Sequence, residues 1–300
     1  MRLSNRRLAF GLVELLVVVA ILGLLLSLTL AAVQHVREAA ARTACAENLR
    51  QLGIALHQFH NDHGCFPPAR DGQPASRELS WMVAILPYIE QRLLYQQSLA
   101  ALEQSRWPHL HNPPHEGMAK VIKLLVCPTD SRLLQSHVDP WGRLAGFTSY
   151  IGIAGVSFGD PSGRIRLGVI GLECTFADIH DGLSNTIMVG ERPPPATLYA
   201  GHWYPGARGI GFAPGTHHED GPNSWLIPGP VYGYEPHPCA LGPIFGPGRL
   251  DNPCDRYHLW SLHLGGSNML FADTTVRFMR YSQAATVKAM LSRAGGEPVD

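Results

Sequence analysis

Apolar residues dominate the beginning of the chain and then take up a one-face spacing further along. No charged side chain occurs from Leu15 to Val33, which is close to the ~20 apolar residues that cross a bilayer as a helix. The apolar positions of the next stretch include Leu49, Leu52, Leu56 and Phe59. The pattern predicts one continuous helix from Phe10 to about His60, apolar all round in its first half and amphipathic in its second.

The rest of the chain predicts short strands and many turns. Breaks at 63–64 and at the proline pair 67–68 end the helix, and the chain holds 31 glycines and 24 prolines. Residues 259–278 alternate in part around turn-forming residues, which predicts a meander of antiparallel strands. Residues 201–253, rich in Gly, Pro and aromatics, are predicted to form elaborated loops. The expected fold class is α+β, with one long N-terminal helix packed on an antiparallel sheet.

One carboxylate, Glu14, interrupts the apolar start of the chain. An acidic residue in a membrane span costs roughly 2.5–3.5 kcal/mol near the bilayer centre, which indicates a partner or a function. The segment has three interpretations. It is a signal anchor in which Glu14 reaches the headgroups, a leader cleaved a few residues before Glu14, or a secretory signal cleaved near Ala31 and Ala32. The apolar run is longer than the usual 7–15 residues of a signal core, which argues against a cleaved secretory signal.

The residues around Glu14 favour the second of these interpretations. The segment from Phe10 to Leu16, FGLVELL, resembles the cleavage motif of type IV prepilins, with Ala9 where the family has glycine and Gly11 where it has threonine. The resemblance implies that a prepilin peptidase cleaves between Ala9 and Phe10 and methylates the new amine of Phe10. It also implies that Glu14 pairs with the N-terminal amine of a neighbouring subunit.

Further blocks of the chain resemble a large bacterial family of prepilin-like proteins of unknown function. These blocks are residues 45–68, 80–95, 124–131, 148–155, 181–191 and 258–278. The last corresponds to a His-x9-Asp-Gly signature at His263 and Asp273, with Leu264 in place of the usual proline and Thr274 in place of the glycine. The resemblance implies a pilin-like fold and incorporation, with other pilin-like subunits, into a type II secretion or type IV pilus-like assembly.

Both signature residues are expected to be structural. An aspartate at the start of a turn bonds its own backbone, which is the role predicted for Asp273. Thr274 is β-branched, so a turn with positive φ at that position is disfavoured. His263 is predicted to donate to a neighbouring backbone carbonyl and so lock the hairpin.

Charge around the apolar run predicts the orientation of the chain. The basic residues that precede the run are Arg2, Arg6 and Arg7. Basic residues stay cytoplasmic, so we expect a single pass through the cytoplasmic (inner) membrane with the head on the outer, periplasmic side. The predicted divisions are a leader over 1–9, a transmembrane half-helix over 10–33, an amphipathic half-helix over 34–63 and a β-rich head over 64–300. A net charge of +0 and a pI near 7.3 give no indication of a nucleic-acid partner.

Six cysteines face an oxidising compartment in this topology. They allow 15 full pairings, and spacing alone does not choose among them. Cys239 and Cys254 bracket a Gly/Pro loop and are the first candidate bridge. Cys45 with Cys65, which would tie the helix to the segment after it, is the second.

The histidines do not predict a metal site. The chain has 15, of which His57, His60 and His63 lie near the end of the predicted helix without the H-E-x-x-H pattern. The remaining groups occur in Pro/Gly-rich stretches without a known ligand spacing. We therefore expect no metal and no cofactor.

The motifs together predict a structural protein. No Walker loop, G-x-S-x-G or G-x-G-x-x-G motif is present, so no enzymatic activity is predicted. The predicted function is that of a membrane-anchored pseudopilin subunit. One alternative is a surface-anchored binding module (an adhesin or a polysaccharide receptor) that uses aromatics such as Trp203 and Trp225. The other is a metal-dependent hydrolase that uses His263 and Asp273.

Overall fold

The computed structural model describes residues 11–68, 79–106, 108, 113–140, 142–157, 165–171, 173–198, 200–205, 223–226 and 243–296. The α-helices in these ranges are α1 Leu12–His63, α2 Trp81–Ala84, α3 Arg92–Gln104 and α4 Ala284–Ala289. The chain divides into two compact units, Met1–Ala41 and Arg42–Asp300. Helix α1 contributes residues to both units.

The part of α1 in the first unit carries exposed apolar side chains. Leu12 is 79% exposed and Leu24 is 63% exposed. A helix that is apolar all round belongs in a membrane or in a large core. Within the described ranges, α1 alone is long and apolar enough to cross a membrane, by length and composition. These properties suit a single membrane span or a signal anchor.

The part of α1 in the second unit buries one face. The fully buried positions on this face are Cys45, Leu49, Leu52 and Leu56, and Phe59 is partly buried. This confirms the one-face pattern predicted from the sequence. Gly53 allows the helix to approach the sheet closely, because a Cβ there would lie 2.9 Å from Leu270 Cδ1. The helix ends at His63, and the following Gly64 takes the left-handed conformation common after helices, with φ +77°.

The second unit contains a mixed but mainly antiparallel sheet. The strands are β1 His137–Val138, β2 Leu144–Ala145, β3 Tyr150–Ser157, β4 Ile165–Leu167, β5 Ile187–Glu191, β6 Asn223–Leu226, β7 Gly266–Phe271 and β8 Val276–Arg280. Strands β4-β3-β5-β7-β8 pair antiparallel in that order, and β1 pairs with β2 separately. Strand β6 pairs in parallel with β3. The predicted α+β class is confirmed, with this one parallel pair added.

Both faces of the sheet are buried at its centre, which explains why β7 is buried along its whole length. Side chains alternate between faces along a strand. Leu270 of β7 accordingly joins the core that includes Leu52 of α1, whereas Met269 and Phe271 join a second core with Val287 of α4. The sheet is thus the middle layer between the second part of α1 and α4.

Candidate functional site

Four buried residues from distant parts of the sequence meet between α1 and the sheet. Cys45 lies on α1, Cys127 follows the short helical turn Lys123–Leu125, Glu191 ends β5, and His263 precedes β7. One sulfur, nitrogen or oxygen atom from each lies within 4.8 Å of the others. We call these four residues the buried cluster. It is the candidate functional site.

Cys45 and Cys127 form a disulfide with their Cα atoms 5.0 Å apart. The predicted Cys45–Cys65 bridge is therefore wrong. A disulfide needs Cα atoms about 4.4–6.8 Å apart, whereas the helix from Cys45 to His63 rises roughly 27 Å at 1.5 Å per residue. Cys65 is instead a partly buried free thiol. The backbone N–H of Cys127 donates to Ser149 Oγ at 3.0 Å, which fixes the loop end of the bridge.

The His263 ring faces the sulfur of Cys127 and the carboxylate of Glu191. Its Nε2 lies 3.5 Å from Cys127 Sγ and 3.5 Å from Glu191 Oε1, and its side chain is fully buried. The main-chain N–H of His263 donates to Ser261 Oγ at 3.0 Å. Nε2 thus joins the end of β5 to the disulfide, and the prediction that His263 also donates to a neighbouring backbone carbonyl stays a prediction.

The Glu191 carboxylate is held by the beginning of β7. The main-chain N–H of Asn268 donates to Oε2 at 2.7 Å, its side-chain amide donates to Oε1 at 3.1 Å, and Ser267 Oγ donates to Oε2 at 3.1 Å. A buried carboxylate needs such partners, because an unpaired one is far more costly. Burial, together with the charge of Glu191, raises the pKa of the nearby Tyr150 phenol well above its usual value.

Neutral hydrogen bonds extend the contact between α1 and the sheet around the buried cluster. Asn48 Nδ2 donates to Val126 O at 3.0 Å and to Tyr150 Oη at 3.4 Å. Tyr150 Oη donates to Cys45 O at 3.4 Å, and Asn268 Nδ2 donates to Arg42 O at 3.4 Å. Polar side chains thus connect α1 to the sheet in addition to the disulfide.

The second signature residue, Asp273, lies at the other end of β7 from His263. Asp273 Oδ1 accepts hydrogen bonds from Thr275 N at 2.9 Å and from Thr275 Oγ1 at 2.6 Å. This is the turn-forming role that the sequence predicts. The expectation for Thr274 was wrong, because this residue adopts φ +70° in the turn. The main-chain N–H of Asp273, bonded to Leu183 O at 3.1 Å, helps to hold the turn in place. His263 and Asp273 do not share one site.

The three histidines near the end of α1 contact aromatic rings and the main chain. His57 Nε2 hydrogen-bonds Ala272 O at 2.8 Å. His60 packs near Phe66 and Phe176, and burial lowers its pKa. The His63 ring stacks on the ring of Phe59, with centroids 4.0 Å apart. Among the described residues, the buried cluster is the group whose donor atoms converge closely enough to suit a metal ion.

Other predicted residues lie apart from the buried cluster or outside the described residues. Trp203 is fully buried, and its indole N–H donates to Lys120 O at 2.7 Å. Cys254 is disulfide-bonded, but Cys239 lies outside the described residues, so that predicted pairing stays a prediction. Ala9 and Phe10 also lie outside them, and so does most of the 201–253 region.

Sequence reasoning missed the role of Glu191. It stands at the end of block 181–191, directly after the apolar residues 187–190. A carboxylate at the end of a fully buried strand is unusual, because ionised side chains are rarely buried without partners. That position was the signal available in the sequence.

The buried cluster can join elements of the fold through its disulfide and through the contact between the Glu191 carboxylate and the His263 imidazole. Its residues are at most 5% exposed, so they offer no surface large enough to bind a substrate.

Comparison with known proteins gives a family but no characterised relative. No curated protein and no solved structure matches the chain significantly. The model of a family described as a protein of unknown function (DUF1559) matches residues 34–286. The match covers every residue of the buried cluster and the whole sheet. The chain therefore belongs to the DUF1559 family.

Proposed function

We propose that the chain is a membrane-anchored, pilin-like structural subunit. A prepilin peptidase cleaves it between Ala9 and Phe10 and methylates Phe10, and the mature subunit joins other pilin-like subunits in a type II secretion or type IV pilus-like assembly. The head lies on the periplasmic side of the cytoplasmic membrane. The observation that carries this proposal is α1 itself: its residues in the first unit expose apolar side chains, and its residues in the second unit bury one face against the sheet.

The exposed apolar side chains support both membrane insertion and helix–helix assembly. They occur on all sides of α1 between residues 12 and 36. Fully burying one such Val or Leu side chain contributes about 1.5–3 kcal/mol relative to water, so this surface strongly favours lipid. In an assembly, the same side chains would exchange contact with lipid for contact with neighbouring helices.

Glu14 gives the assembly a specific contact. It is the single carboxylate between residues 11 and 36, and its Oε2 accepts a hydrogen bond from the main-chain N–H of Gly11 at 3.0 Å. The carboxylate therefore lies beside the residue that follows the proposed new N-terminus. Pairing it with the amine of a neighbouring subunit would neutralise both charges, which offsets the cost of keeping the carboxylate in an apolar surrounding.

The binding-module alternative receives no support from a specific observation. Trp203, one of its two named aromatics, has no exposed surface with which to contact a glycan. Its indole N–H already donates to a main-chain carbonyl. The side chain of Trp225 lies outside the described residues.

The test separates insertion from assembly. We expect the Glu14→Ala and Glu14→Gln variants to remain in alkali-washed membranes at the wild-type level but to fall at least tenfold in chemically cross-linked multimers. The matched control is Glu47→Gln, which removes an exposed carboxylate from the same helix within the second unit. This control should insert and assemble normally. Multimers at the wild-type level in both Glu14 variants would contradict the proposal.

A further inference from the structure

We propose that Cys45, Cys127, Glu191 and His263 bind one zinc ion when the Cys45–Cys127 disulfide is reduced. The buried cluster would then have two alternative states, a disulfide in the oxidised chain and a metal centre in the reduced chain. This inference does not depend on pilus assembly, because all four residues belong to the second unit.

The donor set suits zinc. Zn²⁺ binds cysteine thiolate, histidine nitrogen and carboxylate oxygen, and its structural sites are four-coordinate and closed to solvent. The buried cluster supplies two sulfurs, one imidazole and one carboxylate, all buried. Soft thiolate ligands favour zinc over magnesium or calcium, which prefer oxygen.

The distances around His263 match the edges of a zinc tetrahedron. Zn–S bonds of about 2.3 Å and Zn–N bonds of about 2.0–2.1 Å place sulfur and nitrogen roughly 3.5 Å apart at the tetrahedral angle. Cys127 Sγ and His263 Nε2 are 3.5 Å apart. The corresponding nitrogen–oxygen edge is roughly 3.3 Å, close to the 3.5 Å between His263 Nε2 and Glu191 Oε1. His263 Nε2 therefore lies at a distance that suits zinc coordination from both a sulfur ligand and a carboxylate oxygen ligand.

The residues around the ligands hold them in place before a metal arrives. Asn268 and Ser267 together donate three hydrogen bonds to the two oxygens of Glu191. Ser149 fixes the main chain of Cys127, and Ser261 fixes that of His263. Outer contacts of this kind orient metal ligands, and their loss typically weakens metal binding about 10–100-fold.

The change between the two states balances as follows. A dithiol reductant gives two electrons and two protons to the Cys45–Cys127 disulfide and becomes a disulfide itself. The sulfur–sulfur bond breaks, and two thiols form. On binding, Zn²⁺ replaces the two thiol protons, which pass to solvent. In the oxidised state the disulfide joins α1 to the loop at Cys127, and in the reduced state coordinate bonds through the zinc ion would join them.

The test uses the full chain in detergent, with Co²⁺ as a spectroscopic substitute for zinc. We expect the chain reduced anaerobically with a dithiol to bind one Co²⁺, with the absorption bands of tetrahedral thiolate coordination, and to release it to one equivalent of Zn²⁺. The oxidised chain should bind none. A reduced chain that binds no cobalt, or an oxidised chain that binds it equally, would overturn the inference.

Variants identify the ligands. Cys45→Ser/Cys127→Ser should abolish the thiolate bands, and His263→Gln should weaken cobalt binding at least tenfold. The matched controls are Cys65→Ser/Cys174→Ser, which removes the two free thiols among the described residues, and His57→Gln, which alters a histidine outside the buried cluster. Both controls should bind like the wild type when reduced. Cobalt binding that is lost in the controls, or kept in His263→Gln, would contradict the assignment.

Discussion

Removing the Cys45–Cys127 disulfide should destabilise the second unit by several kcal/mol. The bridge joins residues that are 82 positions apart in sequence. In the chain-entropy relation, closing a loop of that length lowers the entropy of the unfolded chain by about 15 cal/mol/K, which corresponds to about 4.5 kcal/mol at 25 °C. The second unit, Arg42–Asp300, has an unfolding entropy of roughly 0.54 kcal/mol/K. The expected fall in melting temperature is therefore roughly 8 °C.

The measurement is thermal and urea unfolding of the full chain in detergent with a metal chelator present. The test variant is Cys45→Ser/Cys127→Ser, and the matched control is Cys65→Ser/Cys174→Ser, which changes two cysteines without removing a bridge. The control can lose some packing at Cys174, which is buried, but no loop constraint. A loss below about 1 kcal/mol in the test variant, or an equal loss in the control, would refute the argument that the bridge restrains the unfolded chain.

Three further predictions concern packing, pH and thiol chemistry. Gly53→Ala should lower the free energy of unfolding of the second unit by up to about 2 kcal/mol, because overpacking against a buried β7 leucine, 2.9 Å from the new Cβ, costs about 1–3 kcal/mol and alanine regains up to about 1 kcal/mol over glycine in a helix. Gly23→Ala, where no atom lies within 4 Å of the new Cβ, should not destabilise the second unit, and urea unfolding of that unit measures both variants. Burial opposes ionisation of Asp139, but hydrogen bonds from a histidine and an arginine lower its pKa to about 2. The folded state thus gains stability above the unfolded pKa of about 3.9, and we expect that gain to be lost as pH falls towards 2 and to be absent in Asp139→Asn. Without reductant, alkylation of the denatured chain followed by peptide mass analysis should label Cys65 and Cys174. Cys45 and Cys127 should be alkylated only after reduction. Alkylation of Cys45 and Cys127 without reductant would contradict the disulfide assignment.

The fold could be predicted largely because its main element has a continuous local signal. The apolar run and the one-face spacing that follows it predict α1, and both halves match the observed exposure and burial. Strands β7 and β8 were also predictable, because turn residues separate two apolar stretches. The parallel pairing of β6 with β3 was not, since it joins residues about 70 positions apart and no local pattern encodes such a contact.

The candidate site was harder to predict because its residues meet only through tertiary contacts. His263 was recognised from a motif, but its partner Glu191 and the Cys45–Cys127 pairing depend on how α1 lies on the sheet. The Cys45–Cys65 suggestion conflicted with the length of the predicted helix, so that error was avoidable. Thr274 shows a different limit: the turn's hydrogen bonds impose a positive φ that the β-branched residue disfavours.

The most direct test of the proposed function is intact-mass and N-terminal peptide analysis of the protein purified from its own membranes. The proposal predicts a mature chain that begins with N-methylated Phe10. A chain that begins near Ala32 would identify a cleaved secretory signal and end the assembly hypothesis. An intact chain that still begins with Met1 would also contradict processing by a prepilin peptidase and leave α1 as a simple anchor.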